Sequence, residues 1–295
     1  MPVRMSGHID LSESASPGTS DTIVLIHGLW LTPRSWEQWI ERYEGLGFRV
    51  LAPSWPGVES EVEALRTDPS VLALLTVERI VDHYESIVVE LERPPIVMGH
   101  SLGGTFTQIL LDRGLGAAGV AIASPTVEAT RDIPLMTVKV ASPALSPFRE
   151  GEPVRLTRQE FHYAFANTLS REESNALYAR YAVPAPGGVL KEHAFARFNR
   201  DSRSRVDRDV RAPLLFIGFG EDHVMPPKLV RPDEETYGSG SITEFVEFPG
   251  RPHFPGAPGW EHVANYALTW AVEHSLQSTA CADARTRHEE KAESQ

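Results

Sequence analysis

The sequence contains a single cysteine, Cys281, among its 295 residues. One thiol cannot form an internal disulfide, and such sparing use of cysteine is typical of proteins that fold in a reducing compartment. The first twenty residues also lack the apolar core of a secretory signal peptide. From these two features we expect a cytoplasmic protein.

Long hydrophobic runs and an excess of positive charge are also missing. No apolar stretch reaches the roughly 18 residues that a membrane-spanning helix needs, so no membrane span is expected. The net charge of −12 lacks the basic footprint that nucleic-acid binding requires. Hydrophobic residues make up 41% of the chain, which is enough apolar material for a sizeable core. We therefore expect a globular protein that neither spans a membrane nor binds nucleic acid.

Strand and helix patterns alternate along most of the chain. Strands are predicted in the runs TIVLIHG, FRVLAPSWPG, PIVMGH, AAGVAIASP, APLLFIGFG and SITEFVEFPG. Helices are predicted in PRSWEQWIERYEGLG, from about residue 76 to 91, in LGGTFTQILLDRG, and from about 259 to 274. This alternation predicts an α/β fold, with a mostly parallel sheet and helices on both faces.

The alternation breaks between residues 126 and 210. That region contains the helical patterns RQEFHYAFANTL and EESNALYARYAV but no convincing strand. We expect residues 126–210 to form a helical cap over a core built from residues 21–125 and 211–277. The polar segments 1–20 and 278–295 are predicted to be disordered, because they carry too little apolar surface to pack.

The stretch PIVMGHSLGGTF places Ser101 between glycines at the point where a predicted strand meets a predicted helix. Gly99 to Gly103 match G-x-S-x-G, the nucleophile elbow, whose strained turn requires small neighbours on either side of the serine. The turn lifts the serine hydroxyl above the sheet edge. It also places the N–H of Leu102 at a helix N-terminus, where it can stabilise an oxyanion. The alternative is a purely structural turn with an idle serine.

A serine hydroxyl needs a base to remove its proton and a third group to orient that base. In this type of site the partners follow in the order serine, acid, histidine. His253, in FPGRPHFPG, comes after the last predicted strand, whereas His262 falls on the final helix. Asp222, in FIGFGEDHVMP, follows the strand before, and Glu221 and Glu128 are the alternatives for the acid. His253 and Asp222 are therefore the predicted base and acid.

The loop HGLWLTP, after the first clear strand, is expected to supply the second oxyanion donor. The N–H of Leu29 is the natural candidate, with Trp30 next. The Trp30 side chain either packs in the core or forms a wall of the acyl pocket, and the sequence favours neither. Phe161 and Phe165, in the helical region, are candidate pocket residues, although helical spacing suits aromatic residues of a cap core equally well.

The motifs IHGLW, GHSLGG, GFGEDHVMP and GRPHFPG occur in this order, with a helical region before the third. On these residues the chain resembles the α/β-hydrolase superfamily over roughly residues 22–274. Two departures from the family pattern stand out. The strands that usually precede the first motif are weak, which predicts a shortened sheet. The loop PSWPGVES lacks the more usual acidic-Pro-Gly pattern.

The resemblance implies a cofactor-free serine hydrolase with no metal. In such an enzyme Ser101 attacks an acyl carbon, His253 carries the proton, and Asp222 holds the imidazole tautomer. The implied oxyanion donors are the N–H groups of Leu29 and Leu102. The implied substrate is a small or medium hydrophobic carboxylic ester, thioester or lactone. Perhydrolase or haloperoxidase-like activity, lyase activity and slow-turnover ligand sensing remain alternatives within the same fold.

Overall fold

The computed structural model describes residues 20–59, 61–126, 152–194, 211–233, 237 and 240–275. Within these residues the chain forms one six-stranded sheet in the order β2-β1-β3-β4-β5-β6, and every neighbouring pair is parallel. The strands are β1 Thr22–Ile26, β2 Arg49–Leu51, β3 Ile96–His100, β4 Ala118–Ile122, β5 Leu214–Phe219 and β6 Thr243–Phe248. The predicted α/β fold with a mostly parallel sheet is confirmed.

Helices connect the strands and cover both faces of the sheet. They are α1 Glu37–Gly45, α2 Val62–Thr67, α3 Val77–Val89, α4 Leu102–Asp112, α5 Arg158–Phe165, α6 Arg171–Tyr181, α7 Gly187–Ala194, α8 Pro227–Val230 and α9 at residues 260–275. Two 3₁₀ turns, Pro33–Trp36 and Ser70–Leu74, precede α1 and α3. The helix α2 and the second turn follow the PSWPGVES loop and were not predicted. Among the residues described, no helix is both long and apolar enough to cross a membrane.

The alternating side chains of β1 show why these strands read as continuous apolar runs. Val24 and Ile26 belong to one hydrophobic cluster, and Ile23 and Leu25 belong to a second cluster on the opposite face. All five residues of β1 are buried, as expected for a parallel strand covered by helices on both faces. The residues before position 20 lie outside the described part of the chain, so the shortening of the sheet stays a prediction.

The order of the strands places a crevice at the carboxyl ends of β1 and β3. The chain leaves β1 for β2 on one side and then crosses to β3 on the other side of β1. Such a reversal of direction is a topological switch point, where the loops after the two strands separate and ligands bind. The loop that begins at Gly28 and the turn at Ser101 lie at this point.

Residues 152–194 lie in the region predicted to form the cap, and they contain three helices and one isolated antiparallel bridge between Val154 and Ala185. Two of the helices begin with capping boxes, in which Thr157 and Ser170 each exchange hydrogen bonds with the glutamate three residues later. In each box the two side chains supply acceptors for backbone N–H groups that the first turn would otherwise leave unpaired, so the helices start where the sequence pattern starts. The outer boundaries of the cap, most of segments 1–20 and 278–295, Glu128 and Cys281 lie outside the described residues.

The helix α6 is bound to the core by two arginines. Arg66, on α2, donates to the carbonyl oxygens of Tyr178 and Ala182 at 2.6 and 2.8 Å, near the C-terminus of α6. Arg180, on α6, donates twice to the carboxylate of Glu37 on α1, at 2.8 and 2.6 Å. These hydrogen bonds hold α6 against α1 and α2.

Candidate active site

Ser101 occupies a strained turn between β3 and α4. Its backbone angles are φ 54° and ψ −123°, a conformation that non-glycine residues rarely adopt. The turn is fixed on both sides, because the Ser101 N–H donates to the Ile122 carbonyl at 2.8 Å and the Ser101 carbonyl accepts from the Gly104 N–H at 2.9 Å. Strain that the surroundings hold in place is characteristic of functional sites.

The glycines around Ser101 are required by close backbone approach. A Cβ atom on Gly99 would lie 2.1 Å from the carbonyl oxygen of Gly103, and one on Gly103 would lie 2.2 Å from that of Ile26. A Cβ atom on Gly28 would lie 2.8 Å from the Cβ of Ser101. No real Cβ contact is that short, so the loop after β1 passes directly against the serine turn only because these residues are glycine.

His253 and Asp222 form a buried hydrogen-bonded pair at the same edge of the sheet. Nδ1 of His253 lies 2.6 Å from Oδ2 of Asp222, and both side chains are fully buried. The other carboxylate oxygen, Oδ1, accepts the backbone N–H groups of Val224 and Met225 at 2.7 Å each. Because the carboxylate only accepts, the proton of the neutral imidazole sits on Nδ1 and the lone pair on Nε2. Nε2 is buried and has no hydrogen-bond partner among the described residues.

The competing candidates for acid and base lie elsewhere. Glu221 is exposed, and its backbone N–H donates to the Arg251 carbonyl at 2.9 Å. His262, on α9, packs the edge of its ring against Phe248 at 5.3 Å. Within the described residues, the structure therefore brings Asp222, rather than Glu221, to His253.

His100 connects the serine turn to His253, a contact that sequence reasoning missed. Its Nε2–H donates to the backbone carbonyl of His253 at 2.8 Å, and the two rings lie 4.7 Å apart. Burial, followed by the proximity of His253, holds the pKa of His100 well below its usual value. His100 is therefore neutral at pH 7. Since it directly precedes Ser101 in the chain, its hydrogen bond anchors the His253 backbone beside the serine turn.

The two N–H groups predicted to stabilise an oxyanion border the same turn. Leu102 is the first residue of α4, and the first N–H groups of a helix have no acceptor within it. Leu29 follows Gly28, whose backbone lies against Ser101. Both side chains are buried in the hydrophobic cluster that includes the cap residues. The backbone segments that carry the two predicted donors thus approach Ser101 from two sides.

The predicted pocket aromatics divide into two layers. The Phe165 ring lies 4.9 Å from the His253 ring and 6.3 Å from the Trp30 ring, edge to face in both cases. Phe161 stacks on the far side of Phe165 at 5.0 Å and contacts Tyr178 at 5.5 Å. Phe165 therefore borders the histidine, and Trp30 and Phe161 both pack against Phe165.

His27 is a second buried histidine at this edge, directly before Gly28. Its Nδ1–H donates to the Gly28 carbonyl at 3.0 Å, and its ring stacks on Trp55 at 4.7 Å. Burial lowers the pKa of His27 to about 4. The unfolded chain, with an ordinary histidine pKa near 6.5, thus binds more protons than the folded chain between pH 6.5 and 4. Stability must fall as the pH falls through this window.

We expect His27→Phe, which keeps a ring on Trp55, to weaken this pH dependence. Between pH 7 and pH 5 the wild-type free energy of unfolding should fall about 2 kcal/mol more than that of the variant. Urea unfolding at the two pH values measures the difference. Equal losses in both proteins would show that His27 takes up no extra proton on unfolding.

Comparison with known proteins shows the family to which this chain belongs. The model of the alpha/beta hydrolase family matches residues 23–263, which is most of the chain. The chain belongs to the alpha/beta hydrolase family. The predicted superfamily membership is thereby confirmed, and with it an enzyme of the α/β-hydrolase type. In the described ranges of this α/β-hydrolase, no group of three His, Cys, Asp or Glu side chains is arranged to hold a metal ion.

Several solved structures share the fold of this α/β-hydrolase. One is an extracellular α/β-hydrolase from a Paenibacillus species, described as a structural and functional homologue of tobacco Salicylic Acid Binding Protein 2. It is 18% identical to this chain with a TM-score of 0.61, and the alignment covers 85% of this chain and 98% of the Paenibacillus chain. A monoacylglycerol lipase from Paleococcus ferrophilus is 20% identical, with a TM-score of 0.58 and coverage of 87% and 96%. A methylesterase from Arabidopsis is 13% identical, with a TM-score of 0.61 and coverage of 84% and 97%.

A search among curated proteins found no match to this α/β-hydrolase. At identities of 20% and below, the three solved structures establish the shared fold and not a shared substrate. We therefore infer the chemistry of this site from its own residues.

Proposed function

We propose that this α/β-hydrolase cleaves carboxylic esters, thioesters or lactones with small or medium hydrophobic acyl groups, through an acyl-enzyme on Ser101. The observation that carries the proposal is the buried His253–Asp222 pair, whose unpartnered Nε2 belongs to a histidine anchored beside the strained serine. Nucleophilic acyl transfer requires a base with a free lone pair that can take the proton of the serine hydroxyl, and Nε2 of His253 has such a lone pair.

The reaction follows from the roles that these groups suit. Nε2 of His253 takes the hydroxyl proton as the Ser101 oxygen attacks the acyl carbon, and the imidazolium returns the proton to the leaving alcohol or thiol. Asp222 accepts from Nδ1–H throughout, which stabilises the imidazolium. Water, deprotonated by the same Nε2, then attacks the acyl carbon. The bond from that carbon to the Ser101 oxygen breaks, the imidazolium returns the proton to this oxygen, and the acid is released. No step uses a cofactor.

The backbone N–H groups of Leu29 and Leu102 are the proposed oxyanion hole. The carbonyl oxygen gains negative charge in each tetrahedral intermediate, and preorganised backbone donors stabilise that charge far better than mobile water does. The proposed donors come from two rigid features, the start of α4 and the glycine-framed loop after β1. Both features lie at the carboxyl ends of β1 and β3, where the strand order reverses.

Apolar walls favour a hydrophobic acyl group. Phe165 borders His253 and is almost fully buried, and its ring packs edge to face against Trp30. Apolar substrate surface gains about 25 cal/mol per Å² when it leaves water, so such walls select acyl groups by size. The esterase and lipase names of the similar structures agree with an ester substrate. We place the reaction in the cytoplasm on composition alone.

Hydrolysis of p-nitrophenyl esters of increasing acyl length tests the proposal. Ser101→Ala is expected to lower kcat/KM by at least about 10³-fold, because it removes the nucleophile and leaves only the oxyanion donors and substrate binding. Ser124→Ala is the matched control. Ser124 is a buried serine after β4 whose hydroxyl donates to the Pro125 carbonyl at 3.1 Å, and its loss should leave activity within a few-fold.

Two results would contradict the proposal. Equal hydrolysis by wild type and Ser101→Ala would exclude the serine as nucleophile. A wild-type protein that cleaves no ester, thioester or lactone would exclude the hydrolase, and assays for peracid formation and for lyase products would then follow.

A further inference from the structure

Trp30 has an unusual backbone conformation for a large residue. Its φ angle is 61°, in the left-handed region that normally favours glycine. The other non-glycine residues with positive φ in the described part of the chain are Ser101 and Ala123, which also follow strands at the carboxyl edge of the sheet. Such a conformation persists only where the surrounding structure imposes it. The contacts that hold Trp30 are therefore informative.

Two hydrogen bonds join Trp30 to the cap. The indole N–H donates to the Val154 carbonyl at 3.1 Å, and the Trp30 carbonyl accepts the Val183 N–H at 3.0 Å. Val154 is itself paired with Ala185 through two backbone hydrogen bonds of 2.8 Å. The bridge residue Val154 thus holds the side chain of Trp30, and Val183, two residues before the other bridge residue, holds its main chain.

Trp30 is also connected to the two segments that carry Ser101 and His253. The residue before it is Leu29, and Gly28 lies against Ser101. Its ring meets Phe165, whose backbone carbonyl accepts the Phe254 N–H at 3.0 Å, one residue after His253. A residue that only lined a pocket would need contacts to its ring and no hydrogen bond to its main chain. The main-chain hydrogen bond from Val183 instead fixes the path of the loop.

We propose that Trp30 is a positioning residue, through which the cap fixes the Leu29 N–H where the oxyanion develops. The inference rests on the proposed function, because it assumes acyl transfer at Ser101. Without the two cap hydrogen bonds, Trp30 relaxes toward negative φ and redirects the chain at Leu29. Oxyanion donors act only within a narrow distance of the developing charge, so a small displacement of that N–H lowers the rate of the chemical step.

Trp30→Phe tests the inference, because it keeps an aromatic ring and removes the indole N–H. We expect kcat for p-nitrophenyl ester hydrolysis to fall about tenfold with KM unchanged, since only transition-state stabilisation is lost. The rate of labelling by a fluorophosphonate should fall by a similar factor, because that reaction also develops negative charge on oxygen. The pH profile of kcat/KM should not move, because the base is untouched.

Trp36→Phe is the matched control. Trp36 is equally buried, but its indole N–H has no hydrogen-bond partner among the described residues, so the same substitution should change neither kcat nor labelling. Val183→Pro is the second variant, which removes the N–H that binds the Trp30 carbonyl and leaves Trp30 intact. The preceding residue, Ala182, has ψ 128°, an extended conformation that proline tolerates after it. The same selective loss of kcat is expected, and this variant decides the question if Trp30→Phe does not fold.

The possible failures are distinguishable. A rise in KM with unchanged kcat in Trp30→Phe would make Trp30 a pocket wall and overturn the inference, as would wild-type rates in both variants. Failure of the wild type to label at all would overturn the proposed nucleophile itself. Wild-type labelling that is lost in Ser101→Ala leaves the proposed function standing whatever the Trp30 variants show.

Discussion

Asp222→Asn is expected to lower kcat for ester hydrolysis by about 10³- to 10⁴-fold without unfolding the protein. The amide oxygen can still accept the N–H groups of Val224 and Met225, which bind Oδ1 in the wild type. The amide NH₂ then faces Nδ1 of His253, and two donors cannot share a hydrogen bond. The imidazole proton must move to Nε2, where the lone pair is needed. Steady-state kinetics and thermal unfolding of the variant measure the two effects separately.

The exposed neighbour Glu221 supplies the control for this prediction. Glu221→Gln removes a charge one residue away, but the Glu221 side chain is exposed and Asp222 holds the position beside His253. Its kcat should stay within about twofold of wild type, as expected for a surface charge. If Glu221→Gln lost activity and Asp222→Asn kept it, the assignment of the acid would be reversed.

Gly103→Ala is expected to cost about 3 kcal/mol or more of folding stability and to abolish activity. The added Cβ would meet the carbonyl oxygens of Ile26 and His27 at 2.2 and 2.7 Å. These are backbone atoms of β1 and of the loop after it, so neither can move without displacing the segment that carries Leu29. At about 2–4 °C per kcal/mol for a domain of this size, the thermal midpoint should fall by roughly 6–12 °C.

Gly45→Ala provides the comparison for Gly103→Ala. No heavy atom lies within 4 Å of a Cβ at Gly45, which ends α1, so alanine should fit there and stabilise the helix by up to about 1 kcal/mol. Activity should not change. A stable and active Gly103→Ala protein would show that the close approach between β1 and the serine turn is not needed.

Much of the fold and part of the candidate site could be predicted from local sequence patterns. The run that became β3 is apolar and ends in glycine, and the helix after it begins at Leu102, so the G-x-S-x-G turn could be located between them. The order of the motifs then indicated His253 and Asp222, because partners at the carboxyl ends of parallel strands share one edge. Patterns of this kind depend on neighbours in the sequence, which the sequence displays directly.

The long-range contacts of the candidate site could not be predicted from local sequence patterns. The hydrogen bond from His100 to the His253 carbonyl spans 153 residues, and the one from Trp30 to Val154 spans 124. Each is an ordinary side chain meeting a backbone carbonyl, and a carbonyl has no residue-specific signature. The positive φ angle of Trp30 could not be predicted either, because bulky residues seldom adopt positive φ and the sequence HGLW gives no sign of it.

The proposed reaction depends on an activated hydroxyl at Ser101. Incubation with a fluorophosphonate, followed by digestion and mass spectrometry, tests this activation, because the reagent phosphonylates serines that an adjacent base activates. We expect one modification per chain, on Ser101, which is absent from Ser101→Ala and greatly slowed in Asp222→Asn. A wild-type protein that stays unmodified, or one modified at another serine, would contradict it.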